Sequence, residues 1–99
     1  MILRFASRDI ERICTDSRYM TRRLGNEGAK RLRLRVAELQ YVTKLGDLLE
    51  GPGRWEPLVG DRGHQWSARL SANWRLIVEP TGTEQGDAIL VIEVVDYHK

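Results

Sequence analysis

A single cysteine, Cys14, stands among 99 residues with two histidines, three prolines and one phenylalanine. One thiol closes no internal disulfide, and this supply of cysteine and histidine does not build a Cys/His metal cluster. Long apolar runs are also missing. The longest uncharged one, Ala88–Ile92, falls far short of the ~20 residues that span a bilayer. Arg4, Arg8 and Asp9 interrupt the segment after Met1 before a secretory apolar region can form. There is no repeat, low-complexity tract or linker, and no glycine-rich phosphate loop, Ser/His/Asp order or metal-ligand pair. The expectation is one cytoplasmic domain over residues 1–99, without metal, cofactor or membrane contact.

What is present is charge in an uneven distribution. Hydrophobic residues make up 41% and charged residues 30%, which excludes global disorder. The net charge of +2 divides into +6 over residues 1–44, from eleven basic and five acidic residues, and −4 over residues 45–99, from five and nine. Thirteen of the sixteen basic residues are arginine, whose planar fork suits phosphate and carboxylate. Either a polyanionic partner or a plainly solvated helical surface accounts for this.

Ile2–Phe5 reads as an initial strand, and Ser7 as the N-cap of a first helix. Ile10, Ile13, Cys14, Ser17, Met20 and Leu24 follow at helical spacing to a stop at Gly25. Asn26 opens a second helix running to about Leu49. That helix is apolar on two sides: Leu32, Val36 and Leu39 form one stripe, and Leu34, Ala37, Tyr41, Leu45 and Leu48 another, with Arg31, Arg33 and Arg35 on the flanks. The sheet is expected to cover one stripe, and the first helix or a bound partner the other. Gly51, Pro52 and Gly53 end the helical region.

Alternation then predicts strands at Gln65–Ser71 and Trp74–Glu79, a polar loop at Pro80–Gly86 and a central strand at Ala88–Val95. The fold class is α+β: an N-terminal strand, then two helices on one face of a mostly antiparallel sheet of about four to five strands.

Helices on one face leave the other face open, and alternation puts Arg69 and Arg75 there, opposite the tryptophans. At the C-terminal end Asp96 and His98 share parity, with Tyr97 pointing the other way. His98 titrates near neutrality in its ordinary state, at about 6.5. Beside arginines, this set suits metal-independent RNA cleavage: a base for the 2′-hydroxyl, an acid for the departing 5′ oxygen, and cations for the phosphate. A frayed polar terminus is the plain alternative for Tyr97-His98-Lys99. His64 reads as a surface histidine and Cys14 as a buried structural thiol. The tryptophans read as core, with Trp55 the one open to nucleotide stacking.

These same residues carry a resemblance. Trp55-Glu56-Pro57-Leu58-Val59-Gly60-Asp61-Arg62, Trp66-Ser67, Ser71-Ala72-Asn73-Trp74-Arg75-Leu76 and Val95-Asp96-Tyr97-His98, with the basic segment Ala29-Lys30-Arg31-Leu32-Arg33, resemble the HigB branch of the RelE-like toxins. The resemblance covers nearly the whole chain. It implies a RelE-like α+β fold and ribosome-dependent cleavage of mRNA that inhibits translation. It also implies a helix-turn-helix antitoxin as cognate partner, with operator DNA reached only through that antitoxin. By position it implies catalytic roles for His98, Tyr97, Asp96 and Arg75, and supporting RNA contacts from Arg69, Arg62, Arg54 and Lys99. Two positions depart from the family pattern: Glu56 and Val59 stand where histidine and lysine are usual. Ser71 replaces a further basic residue. These departures leave a second reading, a catalytically degenerate toxin-like module that binds an antitoxin and modulates operator binding.

Overall fold

The computed structural model describes residues 1–83 and 86–96. Strand β1 (Ile2–Phe5) leads into helix α1 (Arg8–Thr15), and Ser7 caps it as expected, its hydroxyl accepting the Ile10 N–H at 3.2 Å. Asp16 closes α1 and opens α2 (Ser17–Tyr41) in one residue. Its N–H donates to Arg12 O, while its carboxylate accepts the Arg18 and Tyr19 N–H groups. The helix expected to continue to Leu24 therefore breaks at Asp16, because one short acidic side chain satisfies two orphan donors there.

Gly25, the expected stop, adopts φ 77° and ψ 174° and kinks α2 without ending it. A left-handed φ costs glycine little, so the chain turns and resumes its helix. The helix ends at Tyr41 and not near Leu49; extended Val42 caps it, and a 3-10 turn covers Leu45–Glu50.

On α2 the residues Met20, Leu24, Ala29, Leu32 and Leu39 are buried, joined by Ile13 and Cys14 of α1. The opposite stripe is not covered by α1. Leu34 and Tyr41 are 49% and 84% exposed, Leu48 is buried within the 3-10 turn, and the Leu45 side chain lies outside the described residues. Arg35, expected on a flank, is buried on the core side.

The sheet has the order β1-β5-β4-β3-β2, with β2 (Glu56–Pro57), β3 (Trp66–Arg69), β4 (Trp74–Thr83) and β5 (Gly86–Asp96). Only β1 on β5 is parallel. The expected fold class stands: two helices against a five-stranded, mostly antiparallel sheet. The short β2 has no alternation to announce it. Much of the segment expected as a polar loop at Pro80–Gly86 is strand, paired through Thr83↔Gly86, with residues 84–85 outside the described set. Among the described residues, β4 has β5 as its only neighbour beyond Val78, because β3 ends its pairing there. Pro80 sits in that one-sided stretch, where a missing N–H removes no ladder bond.

Register places Trp66, Ala68, Leu76, Val78, Val91 and Val94 on the helix side. Ser67, Arg69, Arg75, Ile77, Glu93 and Val95 then lie on the other face. A bulge between Ile77 and Val78 leaves Ile92 without a partner residue, since Ile77 faces Glu93 while Val78 faces Val91. Among the described residues, no helix is long and apolar enough to cross a membrane.

Cys14 is 6% exposed, and burial pushes its thiol from 9.0 up to about 12, which supports the structural reading of this residue. The unfolded chain thus loses this proton first, so the contribution to stability is complete below pH 9.0 and declines as pH rises towards about 12. Urea titrations of the wild type and Cys14→Ala on both sides of pH 9.0 should show a steeper alkaline loss in the wild type. Parallel curves would mean that the thiol is not desolvated.

Candidate nucleic-acid interface

The face away from the helices divides in two. Over one half, the segment before β3 provides a polar cover: Arg62 donates to Glu93 at 2.8 Å and to Gln65 at 2.7 Å, and Gln65 donates to Glu79 at 3.2 Å. His64 lies 3.2 Å from the same Glu79 and is 62% exposed, in keeping with a surface histidine. Ile77, paired with Glu93, is fully buried on this face. The expectation of a wholly exposed second face therefore needs correction, since an apolar side chain there requires a roof.

The other half is open. Arg69 and Arg75 pair directly across β3 and β4, and Glu56 pairs with Ser67 one strand further out. Together with Arg54 these side chains line a cavity of about 210 Å³. Arg75 Nη1 donates to the carbonyls of Ser71 and Trp74, both at 3.3 Å, which fixes the guanidinium beside the β3–β4 reversal. Ser71 Oγ accepts the Trp74 N–H at 3.3 Å, so this residue shapes the turn and lies outside the cavity lining.

Arg54 reaches the cavity from a strained backbone. Its φ is 50°, the one positive φ outside glycine among the described residues. Strain of this kind persists only where the surroundings impose it, and here the cause is visible. Trp55, the tryptophan considered for stacking, is 3% exposed, and its Nε1 donates to Glu38 Oε1 at 2.9 Å. Arg35 Nη1 donates to the same oxygen at 3.2 Å. Gly53 lies so close to this network that a Cβ on it would stand 2.5 Å from Arg35 Nη1, Glu38 Oε1 and Trp55 Nε1. With Gly53 and Trp55 both anchored to α2, Arg54 between them has little freedom.

Of the residues expected at the site, Arg54, Arg69 and Arg75 come together. Arg62 does not line this cavity and is engaged by Glu93 and Gln65. Asp96 pairs with Trp74 and so belongs to the tryptophan side of the sheet, one residue beyond Val95, which faces Arg75. Tyr97, His98 and Lys99 lie outside the described residues. Val59 is 89% exposed and outside the lining, whereas Glu56 is inside it. The sequence reading did not associate Arg31 and Arg35 with this face. They line a second cavity of about 310 Å³ with Pro52, Gly53, Arg54 and Arg69. The available signal was Arg35 itself, spaced with Leu32 and Leu39 on the apolar side of α2.

This architecture is a YoeB/ParE-like α+β fold. It is similar to a YoeB/ParE toxin from Agrobacterium tumefaciens, with TM-score 0.68 and 22% identity over 99% of this chain and 100% of that one. It is also similar to the YoeB-YefM complex from Staphylococcus aureus, with TM-score 0.58 and 19% identity over 100% of this chain and 98% of that one. No family model matches the sequence. The Endoribonuclease HigB of Proteus vulgaris is 32% identical to it over 68 residues, spanning 69% of this chain and 70% of that protein. The chain belongs to the HigB family.

The strain at Arg54 is open to test. Arg54→Gly should leave stability within about 0.5–1 kcal/mol of the wild type, because glycine accepts this φ. Arg54→Val should lower it by about 1–3 kcal/mol. Denaturant midpoints of the three proteins compare them; equal midpoints for the two variants would show that the backbone relaxes freely at this position.

Proposed function

We propose that this protein is the toxin of a toxin–antitoxin pair and cleaves mRNA on the ribosome at the Arg54/Glu56/Ser67/Arg69/Arg75 cavity. The observation that carries this reading is the convergence of three guanidiniums and one carboxylate on the open half of the sheet. Phosphodiester cleavage by the 2′-hydroxyl needs three things: a proton acceptor, charge neutralisation at phosphorus, and a proton donor for the departing oxygen. Arg75 and Arg69, across from one another, supply the charge for the phosphorane, and Arg54 supplies more from the loop.

Glu56 is the carboxylate on hand to take the 2′-hydroxyl proton. O2′ then attacks phosphorus, the P–O5′ bond breaks, and O5′ takes a proton. The products are a 2′,3′-cyclic phosphate and a 5′-hydroxyl end. His98 follows Asp96 by two residues, at most about 7 Å of extended chain, and is assigned the donor role with Tyr97 beside it, while Asp96 acts from the tryptophan side of the sheet end. Lys99 adds a cation for the message. With guanidiniums neutralising the phosphate and side chains moving the protons, the scheme requires no metal.

The cavity lining holds arginines, a glutamate and a serine with no aromatic side chain to stack a base, so alignment of the message is assigned to the ribosome. A cognate helix-turn-helix antitoxin would hold the toxin inactive in the cytoplasm and mediate its contact with operator DNA.

Growth on induction and primer extension on cellular mRNA test this reading. Arg75→Ala should lower cleavage about 10²–10³-fold, as loss of a transition-state charge donor does. His98→Ala should lower it about 10²–10⁴-fold. Cuts that persist undiminished in His98→Ala would remove the histidine from the mechanism. Absence of arrest and of cuts with the unaltered protein would favour the antitoxin-binding module instead.

A further inference from the structure

The second cavity, lined by Arg31, Arg35, Arg54 and Arg69 with Pro52 and Gly53, contains no carboxylate in its lining. Arg54 and Arg69 belong to both cavities, so the two volumes adjoin. Four guanidiniums around about 310 Å³ repel one another unless an anion lies among them. Within the described protein, only Arg35 of the four has a mostly buried carboxylate partner, Glu38. Arg31 has Glu27 at 3.4 Å in an exposed pair along the helix surface, and such pairs contribute little. Arg35 shares Glu38 with Trp55, and its buried Nε has no hydrogen-bond partner. Among the described residues, Arg54 and Arg69 form no ion pair.

We infer that this cavity is a subsite for a second backbone phosphate of the same RNA strand, adjacent to the phosphate held by Arg75. The inference rests on the reading of the first cavity as the cleavage site. The subsite has a consequence for the substrate. A single strand threaded over the open face presents phosphates in succession, and a carboxylate-free arginine pocket beside the first cavity grips the neighbouring one. Backbone phosphates carry no sequence, so the subsite sets register and direction on the strand without choosing bases.

The test uses the full-length protein and short 2′-O-methyl oligoribonucleotides, which bind without being cleaved. A dinucleotide with one internal phosphate is compared with a trinucleotide with two, by NMR titration at several salt concentrations. The wild type should bind the trinucleotide on the order of tenfold more tightly, with a salt slope steeper by about 0.7. Arg31→Gln should bring the trinucleotide down to the dinucleotide's affinity. Arg22→Gln, which removes the same charge elsewhere on α2, should keep the difference. A neutral methylphosphonate at one of the two trinucleotide linkages should reproduce the loss in the wild type. Equal affinity of the wild type for both oligomers, or an Arg31→Gln loss matched by Arg22→Gln, would overturn the subsite while leaving the cleavage site intact. Binding of neither oligomer, with mRNA cuts unaffected by Arg75→Ala, would overturn both.

Discussion

One carboxylate oxygen ties the two layers of this protein together at their functional edge. Glu38 Oε1 receives both Arg35 Nη1 and Trp55 Nε1, in a setting where Arg35 and Trp55 are almost wholly out of water. A buried charge without a partner is costly, so each member of the trio requires the others. The trio fixes the Gly53–Trp55 loop to α2, and that loop is the boundary between helices and sheet. Arg54 is held at a positive φ as a result. A surface loop is in this way converted into a rigid mount for a cation.

The arginine content resolves into two populations. Along the helices, Arg12 and Arg23 pair with carboxylates of α1 or of the residue that joins α1 to α2, and Arg12 lies 4.0 Å over the Tyr19 ring. These are the solvated, mutually satisfied charges of an ordinary helical surface. At the sheet, guanidiniums instead face one another across adjoining cavities. The first group suits solubility and the second an anion. The net charge blends the two, which is why charge alone left both readings open.

Much of the scaffold was legible because its signals are local. Ile2–Phe5, the Ser7 cap and the alternation around Trp66 and Trp74 each depend on neighbours within a few residues. The pairing of Arg69 with Arg75 follows from the same period of two. The rest depended on long-range partners. Asp16 breaks the first helix by serving both sides of the break, and β4 passes through Pro80 only because β3 stops short of it. Arg35 is spaced with Leu32 and Leu39, but a guanidinium is tolerated at that buried position only through Glu38, whose Oε1 accepts from both Arg35 and Trp55. At the site, Glu56 stood out in the sequence as a departure from the family pattern, and its place in the cavity comes from pairing with Ser67. Val59 and Ser71, the other departures, lie outside the cavity lining, so their loss of charge weighs less on it than the sequence suggests.

The unpartnered Ile92 works as a phase shifter in β5. Ahead of it, odd-numbered residues such as Ile89 and Val91 look towards the helices; after it, even-numbered Val94 does. A β5 that drew Ile92 into the ladder opposite Ile77 would keep every residue of its apolar run, yet rotate everything downstream by half a period. Glu93 would then turn into the hydrocarbon interior, and Val94 would come up beside the arginines. The chemical identity of the outer surface at this end of the sheet is therefore stored in a count, and not in any side chain's own character.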